Sequence, residues 1–271
     1  MIPDIFRGLC DDAAVFPPGN APLDHALRHH ADHRGANYRD LVGPFVFPVP
    51  RLRELADSIR TAIMVSLIAP GGPETVGPAL AFTRDNIHGA SVTALEVVIP
   101  DSADLAPLLQ IDCGIDVYVE IPRDERRLSV LDAAADAGWR AKLRTGGVTA
   151  DAYPDEQELA ASIHAAVARG VDFKATAGLH HAIRNTNPCN GFEQHGYLNV
   201  LLAAQAATAG AEPRDLENIL ALRDPDVVAE HILRITATRT FLSFGTCSIL
   251  EPLNDLRALG LIEPIAQGVS S

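Results

Sequence analysis

Charged residues interrupt several segments that otherwise read as buried β-strands, and their types suit proton transfer and carbonyl chemistry. Glu96 sits within the apolar run 92–100, Glu120 within 116–122, Lys142 and Arg144 within 141–147, and Lys174 within 173–178. An isolated buried charge costs several kcal/mol unless it is paired, so these side chains must meet one another or a ligand. Strand alternation puts Lys142 and Arg144 on one face, opposite Ala141 and Leu143, and puts Lys174 and Thr176 opposite Phe173 and Ala175. Crowded cations and desolvation both disfavour a protonated amine. A neutral lysine attacks a carbonyl to form an imine, while a second lysine and a carboxylate move protons as the carbinolamine forms and collapses. The same residues also admit a purely structural reading, a buried network in which Glu96 and Glu120 neutralise Lys142 and Lys174.

The elements that must position them recur along the chain. Eight short, β-branched segments, 12–16, 43–47, 62–68, 92–99, 116–121, 140–145, 171–176 and 240–245, alternate with helix-like stretches. That rhythm is the pattern of βα units around a parallel sheet. The clearest helix is 155–169, with Leu159, Ile163, Ala166 and Val167 on one face and Gly170 as a stop. Eight strands in 271 residues predict an α/β fold of the (β/α)8 TIM barrel type. An open doubly wound sheet is the rival, but no G-x-G-x-x-G opens a first helix. The whole chain, 1–271, reads as one domain, with a helical insertion at 182–239 between strands 7 and 8; helices are expected at 195–209, 214–221 and 225–238. The charged residues then lie near the C-terminal ends of their strands, where barrel enzymes keep their active sites. An insertion placed after strand 7 is expected to cover the pocket or join two subunits.

Other polar residues fall at the same end. His180 and His181 follow the seventh strand, where a histidine serves as acid or base near neutrality. Residues 185–195 form a polar loop suited to cap a site, and Asp12 stands at the mouth of the first strand. His25, His29 and His33 recur every four residues, a spacing that also binds metal, although His30, Arg28 and Arg34 beside them read as a solvated face. Four cysteines, Cys10, Cys113, Cys189 and Cys247, are too scattered for a zinc clasp or a disulfide framework.

Composition narrows the partners. The formal charge of −13 repels phosphate backbones and anionic lipid, which argues against nucleic acid and membrane. The apolar runs fall short of the roughly 20 residues of a membrane helix, and the N-terminal residues lack a signal-peptide pattern, so the expected location is cytoplasmic. A small-molecule substrate, anionic if cations converge locally, is the expected partner, and a homo-oligomer is compatible with the sequence.

In order along the chain, these motifs resemble the class I (Schiff-base) aldolases of the deoxyribose-phosphate aldolase type. Lys142-Leu-Arg-Thr-Gly-Gly147 is similar to that family's sixth-strand Lys-Thr-Ser-Thr-Gly-Phe, and Lys174-Ala-Thr-Ala-Gly-Leu179 to its seventh-strand Lys-Ala-Ser-Gly-Gly-Ile. The resemblance implies Lys142 as the Schiff-base residue and Lys174 as the second lysine. The segment 95–100 resembles the strand carrying the family's proton-shuttling aspartate, 117–121 resembles its neighbour, and 243–250 resembles the Gly/Ser phosphate-binding turn. Glu96 stands in place of aspartate, Arg144 in place of a small residue, and one glycine of the seventh-strand pair is missing. The resemblance therefore extends to the superfamily's chemistry and not to deoxyribose phosphate itself. Separately, Asp11-Asp12-Ala13-Ala14 is similar to a magnesium-binding motif of some ATP-dependent synthases and kinases, without the rest of their signature.

Three functions follow as expectations. The first is a lysine-dependent carbon–carbon lyase acting on a small carbonyl compound, needing neither metal nor cofactor. In it Lys142 is the nucleophile, Lys174 and Glu96 move protons, Glu120 partners a lysine, and His180 and His181 are further candidate acids or bases. Arg144 clamps an anion, and Gly146, Gly147, Gly178, Gly245, Thr246 and Ser248 offer N–H or hydroxyl groups to a phosphate. The second is a metal-dependent barrel lyase or isomerase with Glu96, Glu120 and His180 or His181 as ligands. The third is a barrel that binds a small anion without turnover.

Overall fold

A computed structural model describes residues 1–100, 105–111, 114–235 and 239–263. Eight parallel strands close into a barrel: β1 (Cys10–Asp12), β2 (Val42–Pro48), β3 (Ile63–Ala69), β4 (Ala90–Val98), β5 (Asp116–Glu120), β6 (Arg140–Arg144), β7 (Phe173–Thr176) and, after a two-stranded hairpin of β8 (Asn185–Thr186) and β9 (Glu193–Gln194), β10 (Phe241–Thr246). Neighbours run in chain order, and β10 closes the ring between β7 and β1. This is the (β/α)8 barrel that the alternating pattern predicts.

The helices between strands are α1 (Leu23–Gly35), α2 (Leu52–Ser58), α3 (Val76–Asn86), α4 (Arg127–Ala137) and α5 (Glu156–Ala168), while a 3₁₀ turn at Ala106–Gln110 lies between β4 and β5. Helix α5 starts where Asp155 accepts a hydrogen bond from the Glu158 N–H and ends before Gly170 at φ +67°, a left-handed position that suits glycine.

The first strand departs from expectation. It occupies Cys10–Asp12 and not 12–16, because after Ala13 N–H bonds Thr246 O the chain turns, with Phe16 N–H returning to Ala13 O. Moving the strand start moves the side-chain register, and Asp11 becomes the inward residue.

The long connection before β10 holds α6 (Tyr197–Thr208), α7 (Pro213–Leu220) and α8 (Pro225–Leu233), after which α9 (Leu250–Ala258) follows β10. The expected third helix extends to 238; residues 236–238 lie outside those described. Helix α6 is buried on nearly every side, its Tyr197 ring stacked on Phe244 of β10 at 4.8 Å. A helix apolar all round belongs inside a core, so α6 serves as a wall of the barrel, with α7 packed on its outer side and against α5. Asn199 secures this layer by donating to the Ile219 and Leu222 carbonyls and accepting from the Arg184 N–H. Phe173, Phe241, Phe244 and Tyr197 stack continuously between barrel and helices, and burial of each such ring contributes about 1.5–3 kcal/mol. No helix among the described residues is long and apolar enough to cross a membrane.

Candidate active site

The register brings Glu120, Lys142, Lys174 and Ser243 side by side across β5, β6, β7 and β10. Their neighbours on the apolar side, such as Ala141, Phe173 and Phe244, face the helices, so the polar set fills the barrel interior. Glu96 enters from β4 and Asp11 from β1, and both lysines are only 2% exposed.

Lys174 is the more tightly held amine. Its Nζ donates to Asp11 Oδ2 at 2.6 Å and Glu96 Oε1 at 2.5 Å, and lies 5.3 Å from the centre of the Tyr118 ring. Burial alone would lower the pKa of this amine, but Asp11 and Glu96 more than reverse that effect and hold it above the ordinary lysine range. Crowding among cations therefore does not free the proton on Lys174. Lys142 Nζ has longer contacts, 2.9 Å to Glu96 Oε2 and 3.3 Å to Glu120 Oε2.

The carboxylates divide in the same way. Glu96 spans both lysines and accepts the Ser66 hydroxyl at 2.8 Å; burial opposes its charge, yet Lys142 and Lys174 keep it far below the usual carboxylate range. Burial raises Asp11, while Lys174 and the Ser243 hydroxyl at 2.8 Å oppose that shift. Glu120 has one oxygen on the Arg144 guanidinium at 2.9 Å; its other oxygen, Oε2, is buried and makes no hydrogen bond beyond the ion contact with Lys142. Three acids, Asp11, Glu96 and Glu120, thus balance three bases, Lys142, Lys174 and Arg144.

Asp11 is the residue that sequence reasoning missed, and Asp12 is the one it misplaced. Asp12 points towards α1, where its Oδ2 lies 3.0 Å from His30 Nδ1 and its Oδ1 accepts the Ala14 N–H. His30 is accordingly buried and not on a solvated face, while His33 Nδ1 bonds Tyr38 Oη. Leu9-Cys10-Asp11-Asp12 carries the missed signal: two adjacent acids on a strand must face opposite ways. Ser66 and Ser243 were legible in the same manner, each a hydroxyl flanked by apolar residues. Gly43 makes room for Asp11, since a Cβ there would collide with Asp11 Oδ1.

Several expected anion-binding groups have other work. Gly146 and Gly178 press backbone to backbone under the Tyr153 ring; a Cβ on Gly146 would come within 2.7 Å of Gly178 Cα. A Cβ on Gly147 would lie 2.6 Å from Ala152 Cβ. Thr246 Oγ1 donates to Ser248 O, and Ser248 Oγ accepts the Glu251 N–H at the start of α9. A Cβ on Gly245 would make only an ordinary 3.8 Å contact with Ala13 Cβ, and Arg144 is partly exposed.

The two histidines leave the lysine cluster. His181 lies 3.4 Å from Asp255 of α9, and His180 lies beside Cys247 and Glu251. Glu96, Glu120 and a histidine therefore do not converge as metal ligands among the described residues. In the polar loop, β8 and β9 pair, and His195 is buried, with Nε2 2.9 Å from Pro154 O and Nδ1 3.1 Å from Arg184 Nη1. Cys10, Cys189 and Cys247 are free thiols; Cys113 lies outside the described residues.

Scanned against protein-family models, the chain matches none, and a search of curated proteins finds no match. The aldolase-like resemblance rests on its motifs alone.

Proposed function

We propose that the chain is a lysine-dependent carbon–carbon lyase that forms a Schiff base between Lys142 and a small, anionic carbonyl substrate. The observation that carries this reading is the pairing of Lys142 with Lys174 on adjacent strands, with Glu96 bridging them. Lys174, held protonated by two carboxylates, is the cation of the pair, which leaves Lys142 as the nucleophile. Glu120 Oε2 takes a proton from Lys142. The neutral amine adds to the carbonyl carbon, and loss of water gives an iminium. Glu120 returns its proton to the oxygen that leaves as water and, as a carboxylate again, takes the β-hydroxyl proton while the adjacent carbon–carbon bond breaks. The electron pair of that bond enters the iminium to form an enamine, and the far fragment leaves as a carbonyl compound. Protonation and hydrolysis of the enamine release the other product and regenerate Lys142. Lys174 stays protonated as a fixed cation beside the reacting amine, Glu96 remains an anionic anchor for both amines, and Arg144 offers its outer N–H groups to a substrate anion. A network serving stability alone is the weaker account, because buried ion pairs seldom surpass apolar packing.

Incubation with a panel of aldehydes and keto acids under borohydride tests the reading. An irreversible mass increase together with a cleavage product is expected for an accepted compound. Melting shifts with no adduct and no product would instead place the chain among non-catalytic anion-binding barrels.

A further inference from the structure

We propose that His180, Cys247 and Glu251 form a site for a divalent transition metal of the zinc class on the C-terminal rim of the barrel. His180 lies just beyond β7, Cys247 follows β10 directly, and Glu251 is in the first turn of α9. Their ligand atoms lie within 4.8 Å of one another; His180 Nδ1 is 3.9 Å from Cys247 Sγ and 3.9 Å from Glu251 Oε2.

The geometry separates a metal site from a thiol–imidazole–carboxylate relay. A relay uses the two ring nitrogens for different partners, thiol on one side and carboxylate on the other. Here both partners face the same nitrogen, and the carboxylate is too far away for a hydrogen bond. Three donors around one point are the arrangement that an ion requires. Bond lengths of about 2.0–2.3 Å in a tetrahedron put ligand atoms about 3.4–3.6 Å apart, so His180 must draw in by a few tenths of an ångström, and the Cys247 and Glu251 ligand atoms by up to roughly an ångström, to close the site. A sulfur, a nitrogen and an oxygen donor favour a borderline ion over magnesium or calcium, which take oxygen ligands. Three protein ligands leave the fourth corner for water or a substrate oxygen. Gly19 approaches from the loop after β1; a Cβ there would come within 2.9 Å of Cys247 Cβ, so the glycine lets the loop pack directly against Cys247. On binding, the Cys247 sulfur exchanges its proton, released to solvent, for a bond to the metal.

The proposal does not rest on the lysine chemistry. Titration of the metal-stripped full-length chain with Co²⁺ alone tests it. Expected are one equivalent bound and a near-ultraviolet thiolate-to-cobalt absorption that Zn²⁺ displaces. Cys247→Ser should abolish the band, and His180→Ala or the solvent-side change Glu251→Gln should weaken affinity by at least the roughly 10- to 100-fold that partners outside the ligand shell contribute. Cys189→Ser should change nothing. Wild-type chain that takes up no equivalent, or a band that survives in folded Cys247→Ser, overturns the site.

Discussion

Asp11 and Lys174 stand 163 residues apart in the chain, yet Oδ2 of one lies 2.6 Å from Nζ of the other. The contact spans from β1 to β7 across the intervening β10, whose Ser243 donates to the same carboxylate oxygen. Three strands are thereby tied inside the ring where the barrel closes. Asp11→Asn leaves Lys174 with Glu96 as its remaining carboxylate partner, and loss of one member of a buried pair costs about 3–5 kcal/mol. A urea midpoint within error of wild type would show that the contact is not formed in solution.

This contact also marks where sequence reasoning stops. Glu96, Glu120, Lys142, Arg144 and Lys174 were legible because a charge in an apolar, alternating run has few explanations, and the period of two assigns each a face. Asp11 was only half legible: adjacent acids on one strand must face opposite ways, but β1 has three residues, too few for its alternation to say which of Asp11 and Asp12 turns inward. The partners of His180 escaped for another reason. Cys247 and Glu251 are 67 and 71 residues further along, and barrel closure, not local spacing, brings them together. The extent of the connection before β10 was visible from its length, whereas the role of α6 as a wall depends on Tyr197 meeting Phe244 in three dimensions.

Gly43 should tolerate no side chain. Alanine there drives a methyl group into Asp11 Oδ1, and overpacking of a filled core typically costs about 1–3 kcal/mol. Because the displaced carboxylate holds Lys174, Gly43→Ala should lose borohydride-trapped adduct as well as stability. A stable variant with full adduct yield would place Asp11 elsewhere.

His195 should make the fold acid-sensitive. Burial pushes its imidazole down to about 4; the Pro154 carbonyl opposes the shift and Arg184 reinforces it. In the unfolded chain a histidine titrates near about 6.5, so between that value and about 4 the unfolded chain binds more protons. Stability is therefore fully present above about pH 6.5 and declines as pH falls towards 4, by on the order of 3 kcal/mol from this group. Glutamine can accept from Arg184 and donate to Pro154 O without titrating. Denaturant midpoints from pH 7 to 4 should fall less steeply for His195→Gln than for wild type, and parallel curves would refute the assignment.

Lys142 and not Lys174 should carry the covalent adduct. Lys174 donates to two carboxylates at 2.5 and 2.6 Å and is held protonated, a state with no lone pair to attack a carbonyl. Lys142 has the longer contacts and the buried Glu120 Oε2 beside it to receive a proton. With an accepted substrate, Lys142→Ala should abolish the trapped mass increase. Glu120→Gln should slow adduct formation by the roughly 10²–10⁴-fold that a positioned acid or base contributes. Adduct formation should persist after chelation, since the iminium is its own electron sink, whatever the rim binds. Peptide mapping decides the matter: an adduct found on Lys174, or one that disappears with the chelated metal, would refute this division of labour between the two lysines.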